Sequence, residues 1–139
     1  MSERFFPDAM PPPLVDGTTL PWWQAAAEHR LVVQECSQCS HTQFPPSPIC
    51  SECHSPERGW RALSGLGKVY TYTVVYRPIA AGQTLPFIVA VISLEGSGGV
   101  RLISNLVKVS PEEIEIGMEV KVIWEDMSET LSIPRFERR

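Results

Sequence analysis

Three observations predict a mainly β protein. Two Cys-x-x-Cys pairs fall within residues 36–53, and they are all the cysteine the chain has. Nine of the thirteen prolines crowd into the first 60 residues, which argues against long helices or regular sheet there. The C-terminal half reads as five strand-like runs with one short helix signal after the third. Together they predict an N-terminal helix and rubredoxin-like zinc ribbon followed by a five-stranded OB-fold barrel. The expected boundaries are an extended segment at 1–19, helix plus ribbon at 20–62, and barrel at 63–139.

The first element is the segment "MSERFFPDAMPPPLVDG", expected to be extended and poorly self-packed. Phe5, Phe6 and the triple proline would be possible contacts for another subunit. It lacks a basic region followed by an apolar core, so no signal peptide is expected and the reading is cytoplasmic. Runs such as "FIVAVI" are too short to span a bilayer.

Next, "TTLPWWQAAAEHR" predicts a short helix, with Thr19 as cap, Pro21 in the first turn and three alanines favouring the state. Trp22 and Trp23 are adjacent and so point in different directions. Either both pack on the ribbon, or one anchors a partner.

The cysteines follow. Cys36 and Cys39, then Cys50 and Cys53, leave a gap that suffices for two short strands, "LVVQEC" and "HTQFPPSPIC", each ending in a knuckle. Two such knuckles facing each other make a tetrahedral four-sulfur site for one structural zinc. Disulfides need an oxidising context, and a redox dithiol belongs at the head of a helix in a βαβ unit. His41 and His54 follow the knuckles and could replace a cysteine, but with four thiols present they read as neighbours of the site. Four thiolates leave no open position, so the metal is expected to hold the module together rather than catalyse. Metal binding in small fingers is worth about 10–16 kcal/mol of apparent free energy, more than this proline-rich stretch gains by burial.

In the C-terminal half, "GKVYTYTVVYRP", "PFIVAVISLE" and "VRLISNLVKV" are strands rich in β-branched and aromatic residues. "VSPEEIEIG" predicts a helix with Ser110 as cap, Pro111 first, Glu113 closing a capping box, Val109 and Ile114 as staple, and Gly117 as stop. "MEVKVIWED" alternates, with Met118, Val120, Val122 and Trp124 on one face. "LSIPRFE" reads as an edge-like last strand in which Pro134 is tolerable.

Chemistry-bearing residues are scarce outside the ribbon. The three histidines (His29, His41, His54) lie in the helix or ribbon region, the cysteines are committed to metal, and Asp126 and Glu129 read as loop acids. No catalytic residue is assigned. A net charge of −4 points away from nucleic acid, whose binders carry basic faces.

The set "LVVQECSQCS…CSEC", "SGLGKVYTYTVV", "PFIVAVISLEG", "VRLISNLV", "IGMEVKVIWED" and "IPRF" resembles the acyl-CoA-associated zinc-ribbon/OB-fold family, long catalogued as a domain of unknown function. The likeness covers about residues 20–137. Members are small companions of thiolase-fold proteins: thiolases, hydroxymethylglutaryl-CoA-type synthases, and sterol-carrier-type thiolases acting as retro-aldolases on steroid side chains. Others are fused or paired with acyl-CoA hydratase domains. The resemblance carries the zinc ligands onto Cys36, Cys39, Cys50 and Cys53. Two departures stand out: "GSGG" after Glu95 lengthens a hairpin, and Ser40 stands where many ribbons have glycine.

The resemblance implies an accessory subunit, non-catalytic or jointly catalytic, of a thiolase-like (thiolase, synthase or aldolase) complex. It would support acyl-CoA binding and assembly, in steroid side-chain or other acyl-CoA degradation, with the acyl-CoA shared with the partner. Coenzyme A carries phosphates that call for fixed cations, and Arg77, Arg101 and Arg135 are the candidates for a CoA or partner contact. The alternative is a zinc-ribbon/OB-fold nucleic-acid-binding module, with Tyr70, Tyr72 and Tyr76 on one strand face as stacking platforms.

Overall fold

The structure, a computed structural model, describes residues 3–7 and 10–139. Residues 1, 2, 8 and 9 of the segment expected to be extended lie outside the described residues. The remaining elements run in the predicted order. Helix α1 (Leu20–Ala27) leads into a three-stranded ribbon sheet of β1 (Val32–Cys36), β2 (Thr42–Gln43) and β3 (Arg58–Ala62). The barrel follows: β4 (Leu66–Val75), β5 (Phe87–Leu94), β6 (Arg101–Leu106), a turn of 3-10 helix at Pro111–Glu113, β7 (Glu119–Asp126) and β8 (Ser132–Arg138). It is closed in the order β4-β5-β6-β8-β7.

Thr19 does not cap α1 as expected. Its backbone has already turned helical (φ −94°, ψ −14°), whereas a capping side chain needs an extended residue. Its hydroxyl instead accepts from the Asp16 amide at 3.1 Å, and Asp16 Oδ1 accepts from the Thr19 amide at 2.9 Å. The helix ends in a Schellman turn, with the Arg30 amide on Ala25 O and the His29 amide on Ala26 O. His29 occupies the left-handed position (φ 59°) that glycine usually takes.

The ribbon holds three strands where two were expected. Strand β1 is central, and β3 pairs along its whole length, Val32 with Ala62 through Cys36 with Arg58. The stretch expected as the second short strand, "HTQFPPSPIC", pairs only at Thr42–Gln43, because Pro45, Pro46 and Pro48 offer no amide to a ladder.

Two expectations in the barrel are corrected. Strand β8 is not an edge: it lies between β6 and β7 and closes the barrel. Its parallel register with β6 is the single pair Leu106–Phe136, and beside it the Ser104 hydroxyl donates to Pro134 O at 2.6 Å. A strand so sparsely paired on one side accommodates a proline. The predicted helix at 110–117 shrinks to one 3-10 turn, and the Ser110 hydroxyl donates to the Glu113 carboxylate at 2.7 Å instead of accepting from its amide. Val109 and Ile114 do join the core, as the staple predicts.

One continuous core crosses the parts. Trp22, Ala26 and Val33 from the helix and ribbon pack in the same cluster as Ile92, Val120 and Phe136 of the barrel. Trp22 is 5% exposed, donates its indole N–H to Val32 O at 3.0 Å, and meets Trp23 edge-to-face. Both tryptophans are therefore used by the chain's own packing, Trp23 only partly. The "GSGG" turn is the joint between ribbon and barrel. Ser97 is buried, its hydroxyl donating to Leu94 O and accepting from the Val100 amide. Arg61 of β3 reaches Gly96 O at 3.0 Å, and Gly98 (φ 73°) lies so close to Thr42 that a Cβ would sit 2.6 Å from its hydroxyl.

Candidate metal centre and ligand groove

The two knuckles are built alike. In each, the residue after the second cysteine turns left-handed and donates its amide to the first cysteine's carbonyl. Ser40 (φ 65°) bonds Cys36 O and His54 (φ 62°) bonds Cys50 O, both at 3.0 Å. His54 thus serves the backbone turn, and His41 bridges the knuckles through Ser51 Oγ at 3.2 Å. Neither histidine joins the sulfur cluster.

The four Sγ atoms lie within 4.8 Å of one another, with Cys36–Cys53 at 3.5 Å and Cys39–Cys50 at 3.6 Å. A tetrahedral zinc with bonds of about 2.3 Å places its sulfurs about 3.8 Å apart, so the cluster fits that ion. Amides aim at the sulfurs. The Cys53 amide, with that of Glu52, pulls the Cys50 thiol down to about 6, and the Cys39 amide lowers Cys36 likewise. The His41 amide acts on Cys39 in the same sense, but desolvation and the three neighbouring thiols outweigh it and push it up to about 12. Four thiols competing for few charges are a set that a divalent cation would deprotonate.

The second feature is an open groove of about 670 Å³ on the outside of the barrel. Its floor is the outward face of β5, β6 and β8, including Val89, Ile103 and Ile133. Trp22, Trp23 and Phe44 of the helix and ribbon also line it, as do Phe6, Met10 and Leu14 of the N-terminal segment. Among the described lining residues there is no cysteine, histidine, aspartate or glutamate.

The three predicted arginines separate. Arg101 stands at the groove with its guanidinium 3.7 Å above the Tyr70 ring, exposed to solvent. Arg135 lies in the groove wall with its charge answered inside the chain. Its Nε and Nη2 donate to Glu125 Oε1 at 3.1 and 2.8 Å, and Nη1 donates to Asn105 Oδ1 at 2.8 Å. Arg77 is exposed in the β4–β5 loop and does not line the groove.

Comparison with known proteins bears on the ribbon and the barrel. Residues 23–57 match the family model described as ChsH2, rubredoxin-like zinc ribbon domain, and residues 60–125 match ChsH2, C-terminal OB-fold domain. A DUF35 domain-containing scaffold protein of Methanocaldococcus jannaschii is 34% identical over 110 residues, covering 78% of this chain and 77% of that protein. The chain belongs to the DUF35 family. A solved structure titled Ltp2-ChsH2(DUF35) aldolase superposes with a TM-score of 0.84 at 35% identity, covering 91% of this chain and 98% of that one. A "Probable enoyl-CoA hydratase alpha subunit" of Thermomonospora curvata is 36% identical over 126 residues, 91% of this chain. This chain spans only 39% of that relative's length.

Within this DUF35 chain the tyrosine platform is broken up. A β-bulge between Val69 and Thr71 turns Tyr70 outward, while Tyr72 packs against the core with its hydroxyl toward Ile114 O, and Tyr76 lies beyond the end of β4. Sequence reasoning also missed two residues. Asp126, read as a loop acid, accepts from His29 Nε2 at 2.6 Å and from the Ser132 hydroxyl, while His29 stacks flat on Trp124. Glu125, hidden in an apparently solvated "WED", is fully buried.

Proposed function

We propose that this chain is an accessory subunit, non-catalytic or jointly catalytic, of an acyl-CoA enzyme complex with a thiolase-like partner. One observation carries the reading: a groove of about 670 Å³, sized for a small organic ligand, with mostly apolar walls and no cysteine, histidine, aspartate or glutamate among its described lining residues. Such a groove binds and positions. The partner supplies the reacting groups for condensation or cleavage, in steroid side-chain or other acyl-CoA degradation, and the two chains share the acyl-CoA. Relatives named as a hydratase alpha subunit, an aldolase and a scaffold protein support this role.

Within the proposal, Cys36, Cys39, Cys50 and Cys53 hold one structural zinc that fixes the Phe44 wall. Arg101 is the cation presented toward a CoA phosphate or a carboxylate of the partner. Arg135 shapes the groove, and Arg77 reaches the partner beyond its rim.

Co-purification from the native host, with the partner identified by mass spectrometry, tests the assignment. The purified chain should show no thiolase, aldolase or hydratase turnover alone, and the complex should turn over an acyl-CoA. Turnover by the single chain, or sub-micromolar salt-sensitive binding of single-stranded oligonucleotides, would overturn it.

A further inference from the structure

Residues 3–6 of the N-terminal segment, expected to be poorly self-packed, are clasped to the barrel. The amides of Phe5 and Phe6 both donate to Glu125 Oε2, the second at 3.0 Å, and Arg4 Nε lies 3.7 Å from the same oxygen. The opposite oxygen is held by Arg135. Glu3 adds an ion pair with Lys108 at 3.0 Å. Bonds from paired amides to a buried carboxylate are charge-assisted and directional, so they fix the backbone at Phe6.

That fixes where one aromatic ring stands. Phe6 is 8% exposed without belonging to the continuous core. Its ring lies 4.4 Å from the Arg135 guanidinium and meets Phe87 edge-on at 5.8 Å. One side of it faces the groove. Further along, Met10 and Leu14 continue the same wall, and Leu14 is 89% exposed. Phe6 is thus a held, packed end of the wall, while Leu14 has little of its own chain against it and faces the open groove.

We infer that Phe6, clasped by Glu125, is a gauge that sets the size of hydrocarbon the groove accepts. This deepens the reading above and rests on it, taking the groove's occupant to be the acyl part of an acyl-CoA. Glu125 is a positioning residue that touches no ligand. A side chain one or a few methylenes too long for a fixed wall is disfavoured by roughly tenfold or more per methylene.

The test titrates acetyl-CoA, octanoyl-CoA and palmitoyl-CoA into the full chain, reading intrinsic tryptophan fluorescence, to which Trp22 and Trp23 of the groove contribute. Wild type should bind octanoyl-CoA more tightly than acetyl-CoA and more tightly than palmitoyl-CoA. Phe6→Ala should raise the palmitoyl-to-octanoyl affinity ratio by roughly tenfold. Phe6→Trp should lower it, and Phe6→Leu should fall between. Glu125→Gln, by loosening the clasp, should move the ratio in the direction of Phe6→Ala. Wild-type preference for octanoyl-CoA over acetyl-CoA with an identical palmitoyl-to-octanoyl ratio in every Phe6 variant would overturn the gauge alone. Equal affinity of wild type for all three thioesters would overturn the acyl groove and the gauge with it. A purely structural Phe6 would weaken all three thioesters alike, which also counts against the gauge.

Discussion

Glu125 and Arg135 face each other across neighbouring strands as an ion pair, Nη2 to Oε1 at 2.8 Å, with the carboxylate wholly inaccessible to water and the guanidinium side chain 14% exposed. The pair links the β7–β8 seam to the N-terminal segment, because the second carboxylate oxygen receives the Phe5 and Phe6 amides. Removing one member of a buried pair strands the other charge and costs about 3–5 kcal/mol. Glu125→Ala should therefore lower the melting temperature steeply in thermal unfolding followed by circular dichroism. Glu125→Gln keeps an acceptor for the amides and should lose clearly less. Equal melting temperatures for wild type and Glu125→Ala would contradict the pairing.

Metal content is expected at about one zinc per chain on four sulfurs. Cys39→Ser should lose metal and most soluble expression, measured by atomic emission spectrometry on the purified chain. A mapped Cys36–Cys53 disulfide in folded protein would sink the assignment.

The contact of Gly98 with Thr42 predicts a non-additive pair of substitutions. Gly98→Ala adds a Cβ at 2.6 Å from Thr42 Oγ1 on a backbone at φ 73°, and should destabilise by more than about 1 kcal/mol. Thr42→Ala removes the atom in the way, so the double variant should be more stable than the sum of the single losses implies. Additive losses in urea unfolding would show that the turn does not press on β2.

For the arginines, losing one charge-assisted contact costs about 1.5–3 kcal/mol, a tenfold to hundredfold change. Arg101→Ala should show it in partner affinity or acyl-CoA KM. Arg77→Ala should act on partner affinity alone, and Arg135→Ala should act first on stability. If Arg77→Ala and Arg101→Ala leave both quantities within about twofold, a change under ~0.5 kcal/mol, docking rests on the apolar walls instead.

Acid sensitivity has a local source in Glu113, whose carboxyl is held below its ordinary 4.5 by the Ser110 hydroxyl, then by the Ser110 backbone and Arg138. A lowered folded pKa contributes stability that is present above 4.5 and is lost as pH falls through the folded value. Ser110→Ala should raise the Glu113 midpoint in an NMR titration. An unchanged midpoint would remove the hydroxyl as the cause.

The sequence alone determined the element order, the gathering of four thiols at one point and the core face of β7. Those follow from local rules: cysteine spacing sets where two knuckles can point, and alternation sets which side of a strand is apolar. Met118, Val120, Val122 and Trp124 all face the core as that alternation implies. Tertiary structure alone decided the opposite face of the same strand, where Glu125 reads as a solvated acid until the N-terminal segment and Arg135 cover it. It also decided that His29 meets Asp126 across 97 residues, that a bulge sends Tyr70 and Tyr72 to different sides, and that Pro134 sits in a closed barrel. Each of these depends on which distant backbone arrives beside a residue. A polar side chain carries no periodic signal for that, because water and a buried partner satisfy the same hydrogen bonds.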